Sequence, residues 1–180
     1  MSDDMSKLVW IDLEMSGLEP ERDVILEIAT VVTDSHLSSV TKGPDLVVHQ
    51  PDDVLDNMDE WNTTHHGDSG LTDAVRESSI SLEEAEAETI SFLKECGVEP
   101  NQAPLCGNSI TQDRRFLYKY MPELSAFLHY RNIDVSTIKE LVLRWYDDVN
   151  VPKKGASHRA MDDILESIEE LRYYRNNIMR

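Results

Sequence analysis

Cysteine and positive charge are the scarce ingredients of this 180-residue chain. Cys96 and Cys106 are its two cysteines, at a spacing that fits no metal motif. That excludes a disulfide scaffold and a zinc-finger module, and it suits a reducing compartment such as the cytoplasm. Lys and Arg number 17 against 35 Asp and Glu, for a net charge of -18. Such a chain is repelled by long polyanions, because proteins that grip extended nucleic acid need basic patches to neutralise phosphates. "QDRRF" and "PKKGASHR" are its dense basic spots, so a nucleic-acid substrate is expected to be short, or reached through bound cations. No apolar run approaches the ~20 residues of a membrane span. The start "MSDDMSKLVW" has no basic segment leading into an apolar one, and no signal peptide is expected. No repeat, low-complexity tract or Pro/Gly linker interrupts the chain. Its length predicts one domain, 1–180, with a full-sized core, and its 40% hydrophobic content argues against a disordered or membrane chain.

The periodicity of what is there suggests an α/β architecture. Residues 7–14, "KLVWIDLE", alternate as a strand, with Leu8, Trp10, Asp12 and Glu14 on one face and Val9, Ile11 and Leu13 on the other. Residues 24–34, "VILEIATVVTD", are β-branched and nearly continuous, as in a central strand. A hairpin turn over 36–44 and a third strand over 45–50 complete an antiparallel meander. Residues 59–81 read as loop with one short helix near 71–77. Residues 81–97 form a helix opened by a capping box, Ser81 and Glu84, and stopped at Gly97. Short strands follow at 103–108 and 131–136, separated by two helices that break near Pro122. Helices over 136–146 and 158–178 close the chain, the last with an apolar stripe of Met161, Ile164, Leu165, Ile168 and Leu171. This order predicts a mixed sheet, a three-stranded antiparallel meander plus parallel strands, flanked by helices.

Within the first strand, Asp12 and Glu14 leave the same face. At ~4 Å and an effective dielectric near 20, two such charges repel by ~4 kcal/mol. A divalent cation would remove that repulsion. From this pair alone, a strand that ends at Leu13 with Glu14 in water is the commoner arrangement. Asp113 near a helix start, and Asp162 and Asp163 in the first turns of the last helix, are likewise routine helix-dipole acids when each is taken alone. Alone, His158 would most often be a surface or cap residue.

Together these residues resemble a known pattern. D-x-E on the first strand, N-x-x-x-x-D from Asn108 to Asp113, and H-x-x-x-x-D from His158 to Asp163 are similar to the motifs of the DEDD exonucleases. The histidine marks the DEDDh branch, whose fold is ribonuclease H-like. The strings "WIDLEMSGL", "GNSITQDRRFLYKYMPEL", "DVSTIKEL" and "HRAMDDI" extend the resemblance over nearly the whole length, toward members that act on very short RNA. The resemblance implies a 3′→5′ exoribonuclease that releases nucleoside 5′-monophosphates. In it, Asp12, Glu14, Asp113 and Asp163 hold two divalent cations, Mg²⁺ or Mn²⁺, and His158 is the general base. The histidine spacing selects Asp163 over Asp162. The chemistry is consistent with these roles. Hard oxygen ligands suit Mg²⁺ and Mn²⁺ better than zinc, two cations can clamp a phosphodiester, and a histidine of pKa ~6.5 is mostly neutral at pH 7 and can accept a proton.

The same resemblance assigns a substrate surface. Leu18 corresponds to a wedge between two bases, Trp61 to a stacking face, and His66 to a substrate contact, with His65 as its alternative. Trp61 reads equally well as a core tryptophan. Ser109, Arg131 and Ser136, with Thr137 beside them, correspond to residues that cap a 5′ phosphate. Ser136 is also a natural helix N-cap, and a helix N-terminus favours an anion. Tyr130 matches a residue contributed across a homodimer interface, so the resemblance implies a homodimer. Two rival readings share these residues: a DNA-directed or proofreading exonuclease, and a non-catalytic nucleotide-binding module. The acidic surface favours neither long RNA nor long duplex DNA as partner.

Overall fold

The computed structural model describes residues 7–147, 149, 151–152 and 159–179. Among them, five strands form one mixed sheet in the order β3-β2-β1-β4-β5. β1 (Lys7–Met15), β2 (Ile25–Asp34) and β3 (Val40–Val47) make the antiparallel meander, and β4 (Pro104–Gly107) and β5 (His129–Asp134) add to it in parallel. This is the mixed sheet that the element order predicts and the ribonuclease H-like arrangement that the resemblance implies.

β1 is central, so both its faces are covered, and its alternation sorts two cores. Val9, Ile11 and Leu13 pack with residues of α4 (Leu82–Glu95), α5 (Thr111–Tyr120) and α6 (Pro122–Phe127). Leu8 and Trp10 pack on the opposite side with α7 (Val135–Trp145) and α8 (Ala160–Asn177). The indole N–H of Trp10 is satisfied by Thr33 Oγ1 at 3.0 Å. The Ser81–Glu84 capping box opens α4, and Gly97, at φ 71°, ends it in the left-handed region that suits glycine.

Several boundaries differ from the sequence reading. The hairpin turn is shorter, because the Asp34 carboxylate accepts from the backbone N–H groups of His36, Ser38 and Ser39 and closes it at once. β3 therefore begins at Val40 and takes in "TKGP". Pro44 is tolerated because β3 is an edge strand, and the ladder shifts register beside it. α3 (Leu71–Glu77) is the short helix expected near 71–77, but α2 (Glu60–Asp68) stands where loop was expected, and a further short helix, α1 (Asp52–Asp56), precedes it. α2 has no apolar stripe to announce it. Asp59 caps it by accepting from Asn62 N, and it buries only Asn62 and His66, one turn apart. In α8 the buried residues are Ile164, Ile168 and Leu171 as expected. Ser167, Glu170 and Tyr174 are buried beside them, and Leu165 only partly.

Candidate metal centre and substrate surface

The site forms where β1 outruns its neighbour. β4 pairs with β1 at Val9 and Trp10, and beyond that point, among the described residues, this edge of β1 has no strand beside it. Gly107 ends β4 there, and a Cβ at this position would lie 2.7 Å from Ile110 Cγ2. The chain then turns into α5, and Asp113 in its first turn uses one carboxylate oxygen to accept from Leu13 N at 3.0 Å. A hydrogen bond across 100 residues thus brings the α5 acid to the strand that carries Asp12 and Glu14.

α8 supplies the other acid. One ligand oxygen each from Asp12, Glu14 and Asp163 lie within 4.8 Å of one another. Asp162, one position earlier on the helix, is exposed. Burial, followed by the charges of Asp163, Glu27 and Asp113, pushes the Glu14 carboxyl up to about 8, against a smaller opposing pull from Arg159. Such a group holds its proton in place of a cation. The donor set is all carboxylate oxygen, and a divalent cation would relieve the repulsion felt by Glu14, so these residues fit a hard cation such as Mg²⁺ or Mn²⁺.

His66 lies beneath this cluster. It is buried, its Nε2 lies 2.9 Å from the Met15 carbonyl, and its Nδ1 is 3.9 Å from Glu14 Oε2. Burial pushes its pKa down, which favours the neutral ring over an ion pair with Glu14. His65 stands instead at the surface, stacked on Trp61 with ring centroids 4.3 Å apart. Trp61 is 65% exposed and is not a core residue. Leu18 is exposed too, on a loop that α5 braces: Arg115 donates to the Leu18 carbonyl at 3.4 Å, and the Tyr120 hydroxyl lies 2.8 Å from the carbonyl of Pro20.

The expected 5′-phosphate cluster is brought together in part. Ser109, at φ 56°, has its backbone N–H 3.0 Å from Asp134 Oδ1 and 3.3 Å from Ser136 Oγ. Ser136 is not the N-cap of α7. Asp134 is, accepting from Ser136 N at 2.9 Å and from its hydroxyl at 2.6 Å. Arg131 is on the exposed edge strand with its guanidinium 5.3 Å from the Tyr130 ring centroid, and its contact is with that ring rather than with the serines. Tyr130 and Thr137 are exposed. His158 lies outside the described residues.

Two polar contacts around α8 escape the sequence reading. Glu27, fully buried in β2, is bonded by the Arg159 guanidinium. Asn108 donates to Ser167 Oγ at 2.7 Å and lies 3.3 Å from Glu170 Oε2. The signal for the first was a single acid inside an otherwise apolar strand. Burial, followed by the charge of Glu27, also pushes Asp45, on the neighbouring strand, up to about 6.

Comparison with known proteins places this geometry. The RNase_T exonuclease family model matches residues 9–171. Proteins named oligoribonuclease from Pseudomonas paraeruginosa and Pseudomonas aeruginosa are 58% and 57% identical over 174 residues, covering 96% of this chain and 96% of each relative. Among solved structures, E. coli exonuclease I in complex with a dT13 oligonucleotide superposes with a TM-score of 0.70 at 16% identity, over 94% of this chain. Cell-death related nuclease 4 superposes with a TM-score of 0.71 at 14% identity, over 96%. The chain spans 41% of that exonuclease I and 64% of the nuclease, so these likenesses concern the shared fold.

Proposed function

This chain belongs to the RNase_T exonuclease family, and from that premise we propose that it removes nucleotides from the 3′ end of very short RNA, down to dinucleotides, as a single domain over 1–180. The observation that carries the reading is the convergence of Asp12, Glu14 and Asp163 within 4.8 Å, with Asp113 fastened to the same strand. These four acids would hold two divalent cations, Mg²⁺ or Mn²⁺. When bound, such cations polarise the phosphate and lower the pKa of water. Water adds to phosphorus as the bond to the 3′ oxygen breaks, leaving a 3′-hydroxyl and a nucleoside 5′-monophosphate. His158 takes the proton of the attacking water, a role that rests on the sequence motif.

The chain's own surface accounts for the restriction to short substrates. Leu18 and Trp61 offer apolar faces to two bases, and stacking tolerates any base. Ser109 and Ser136, with Arg131 on the same edge, receive the 5′ phosphate, and an arginine can bind it with two parallel bonds. A capped end leaves few phosphates to neutralise, which suits a net charge of -18. The exposed Tyr130 edge is the homodimer surface in this reading, and the enzyme acts in the cytoplasm. Among the described residues, no helix is long and apolar enough to cross a membrane.

The test is a time course on 5′-phosphorylated RNA of two, three, seven and twenty nucleotides, and on a DNA dinucleotide, in Mg²⁺ and in EDTA. Mg²⁺-dependent cleavage fastest on the RNA dinucleotide is expected. Equal or faster cleavage of the twenty-mer, or of DNA, would remove the closed-site reading.

A further inference from the structure

A buried carboxylate stands beside the acidic cluster without belonging to it. Glu27 pairs with Glu14 across the antiparallel ladder, so it shares the face that carries Asp12 and Glu14. Bare, it would add negative charge where there is already too much. Arg159, the residue before α8, offsets part of that charge. Its Nε lies 2.9 Å from Glu27 Oε1 and 3.2 Å from Oε2, and its Nη2 also bonds Oε1. The first backbone amide of α8, Ala160 N, donates to Oε2 at 3.2 Å. One strand residue therefore holds both an arginine fork and the start of the helix.

Asp163 follows one turn later, its N–H donating to the Arg159 carbonyl at 3.1 Å. Four residues further, Ser167 donates to the Asp163 carbonyl at 2.7 Å and accepts from Asn108. Arg159, Asp163 and Ser167 recur at a spacing of four, along one side of the helix. The apolar contacts of Ile164, Ile168 and Leu171 hold α8 on the sheet, but hydrophobic burial is non-directional and tolerates small rotations and slides. A two-point guanidinium–carboxylate contact does not.

We infer that Glu27 and Arg159 are positioning residues for the acidic cluster: their pair sets the rotation and depth of the start of α8, and through it the place of the Asp163 carboxylate relative to Asp12 and Glu14. Neither touches the cation. The pair carries no net formal charge. An apolar pair of the same volume would generally be at least as stable, so stability alone does not account for an ion pair here. The inference rests on the cation-site reading above.

Removing Arg159 alone is an ambiguous test, since a bare Glu27 would attract cations while α8 loosens. The double variant Glu27→Gln/Arg159→Gln removes one charge of each sign and isolates geometry. Mn²⁺ binding would be measured by calorimetry and electron paramagnetic resonance on the full chain, with circular dichroism for fold. The double variant is expected to stay folded and to bind Mn²⁺ roughly tenfold or more weakly, the range seen when groups that orient metal ligands are lost. Half-maximal activity should need correspondingly more Mn²⁺. Arg159→Lys keeps the charge and loses the fork, so it should fall between wild type and the double variant, and it decides the matter if the double variant does not fold. Wild-type Mn²⁺ affinity in the folded double variant, or in Arg159→Lys if the double does not fold, would overturn the inference and leave the cation reading standing. A wild-type protein that binds no Mn²⁺ would instead remove the cation reading, and this inference with it.

Discussion

Glu14 is strongly altered by its surroundings. It holds a proton up to about 8, whereas an ordinary glutamate releases it near 4.5. Between those values the folded chain binds more protons than the unfolded one, so stability falls as pH rises through that window and levels off above it. In EDTA, the melting temperature of the wild type should therefore decline from about pH 4.5 to about 8, and Glu14→Gln should flatten the decline. Saturating Mn²⁺ should flatten it as well, because the cation takes the place of the proton. Parallel melting curves for wild type and Glu14→Gln across the window would show that this carboxyl is not the group responsible. Asp12 gives a second residue-scale prediction. Asp12→Ala should lose turnover to background while its far-ultraviolet circular dichroism stays that of the wild type. Retained activity would exclude Asp12 from the centre. This pair was legible in the sequence because strand geometry alone places residues two apart on one face. Glu27 was not, because a lone acid in an apolar run says nothing about which cation, 132 residues away, will meet it.

At the scale of elements, the last helix matters most, since it carries Asp163 and docks through a narrow apolar stripe. Ile168 is 1% exposed in the core shared by β1, β2 and α8. Ile168→Ala should destabilise the protein by about 2–5 kcal/mol through lost burial and the cavity left behind. Urea unfolding checks this by a lower midpoint at an unchanged slope. A loss below about 1 kcal/mol would mean that the helix relaxes to fill the space. The helices differ in how visible they were. α4 announces itself with a capping box and a glycine stop, whereas α2 is held by one aspartate cap and two buried polar residues and has no period to detect. The hairpin was misjudged for a similar reason, since three amides converging on one aspartate make a tighter turn than composition suggests.

For the molecule as a whole, the charge of -18 is the dominant physical fact. Like charges on a compact surface repel more than in an expanded chain, and salt screens them over a Debye length of about 10 Å at 0.1 M. The melting temperature should rise as sodium chloride is raised from about 0.01 M to about 0.3 M, and scanning calorimetry would follow it. A flat or falling curve would show that the surface ion pairs outweigh the repulsion. Under the proposed function, the same charge bears on substrate choice. A long strand would meet repulsion along its length, whereas a dinucleotide presents little phosphate.

The sequence by itself determined which residues could share a face, where α4 begins and ends, and the spacing of the acids along the chain. Those are consequences of backbone period and local hydrogen bonding, which act over a few residues. Only the tertiary structure decided that Asp113 reaches Leu13 and that Arg159 meets Glu27, and only it shows why Asp163, which the motif spacing already selects over Asp162, is the acid that turns toward Asp12 and Glu14. One residue along a helix is a rotation of about 100°, and the rotation is set by how the helix packs on the sheet. Packing of this kind joins residues far apart in the chain, and no local pattern encodes it.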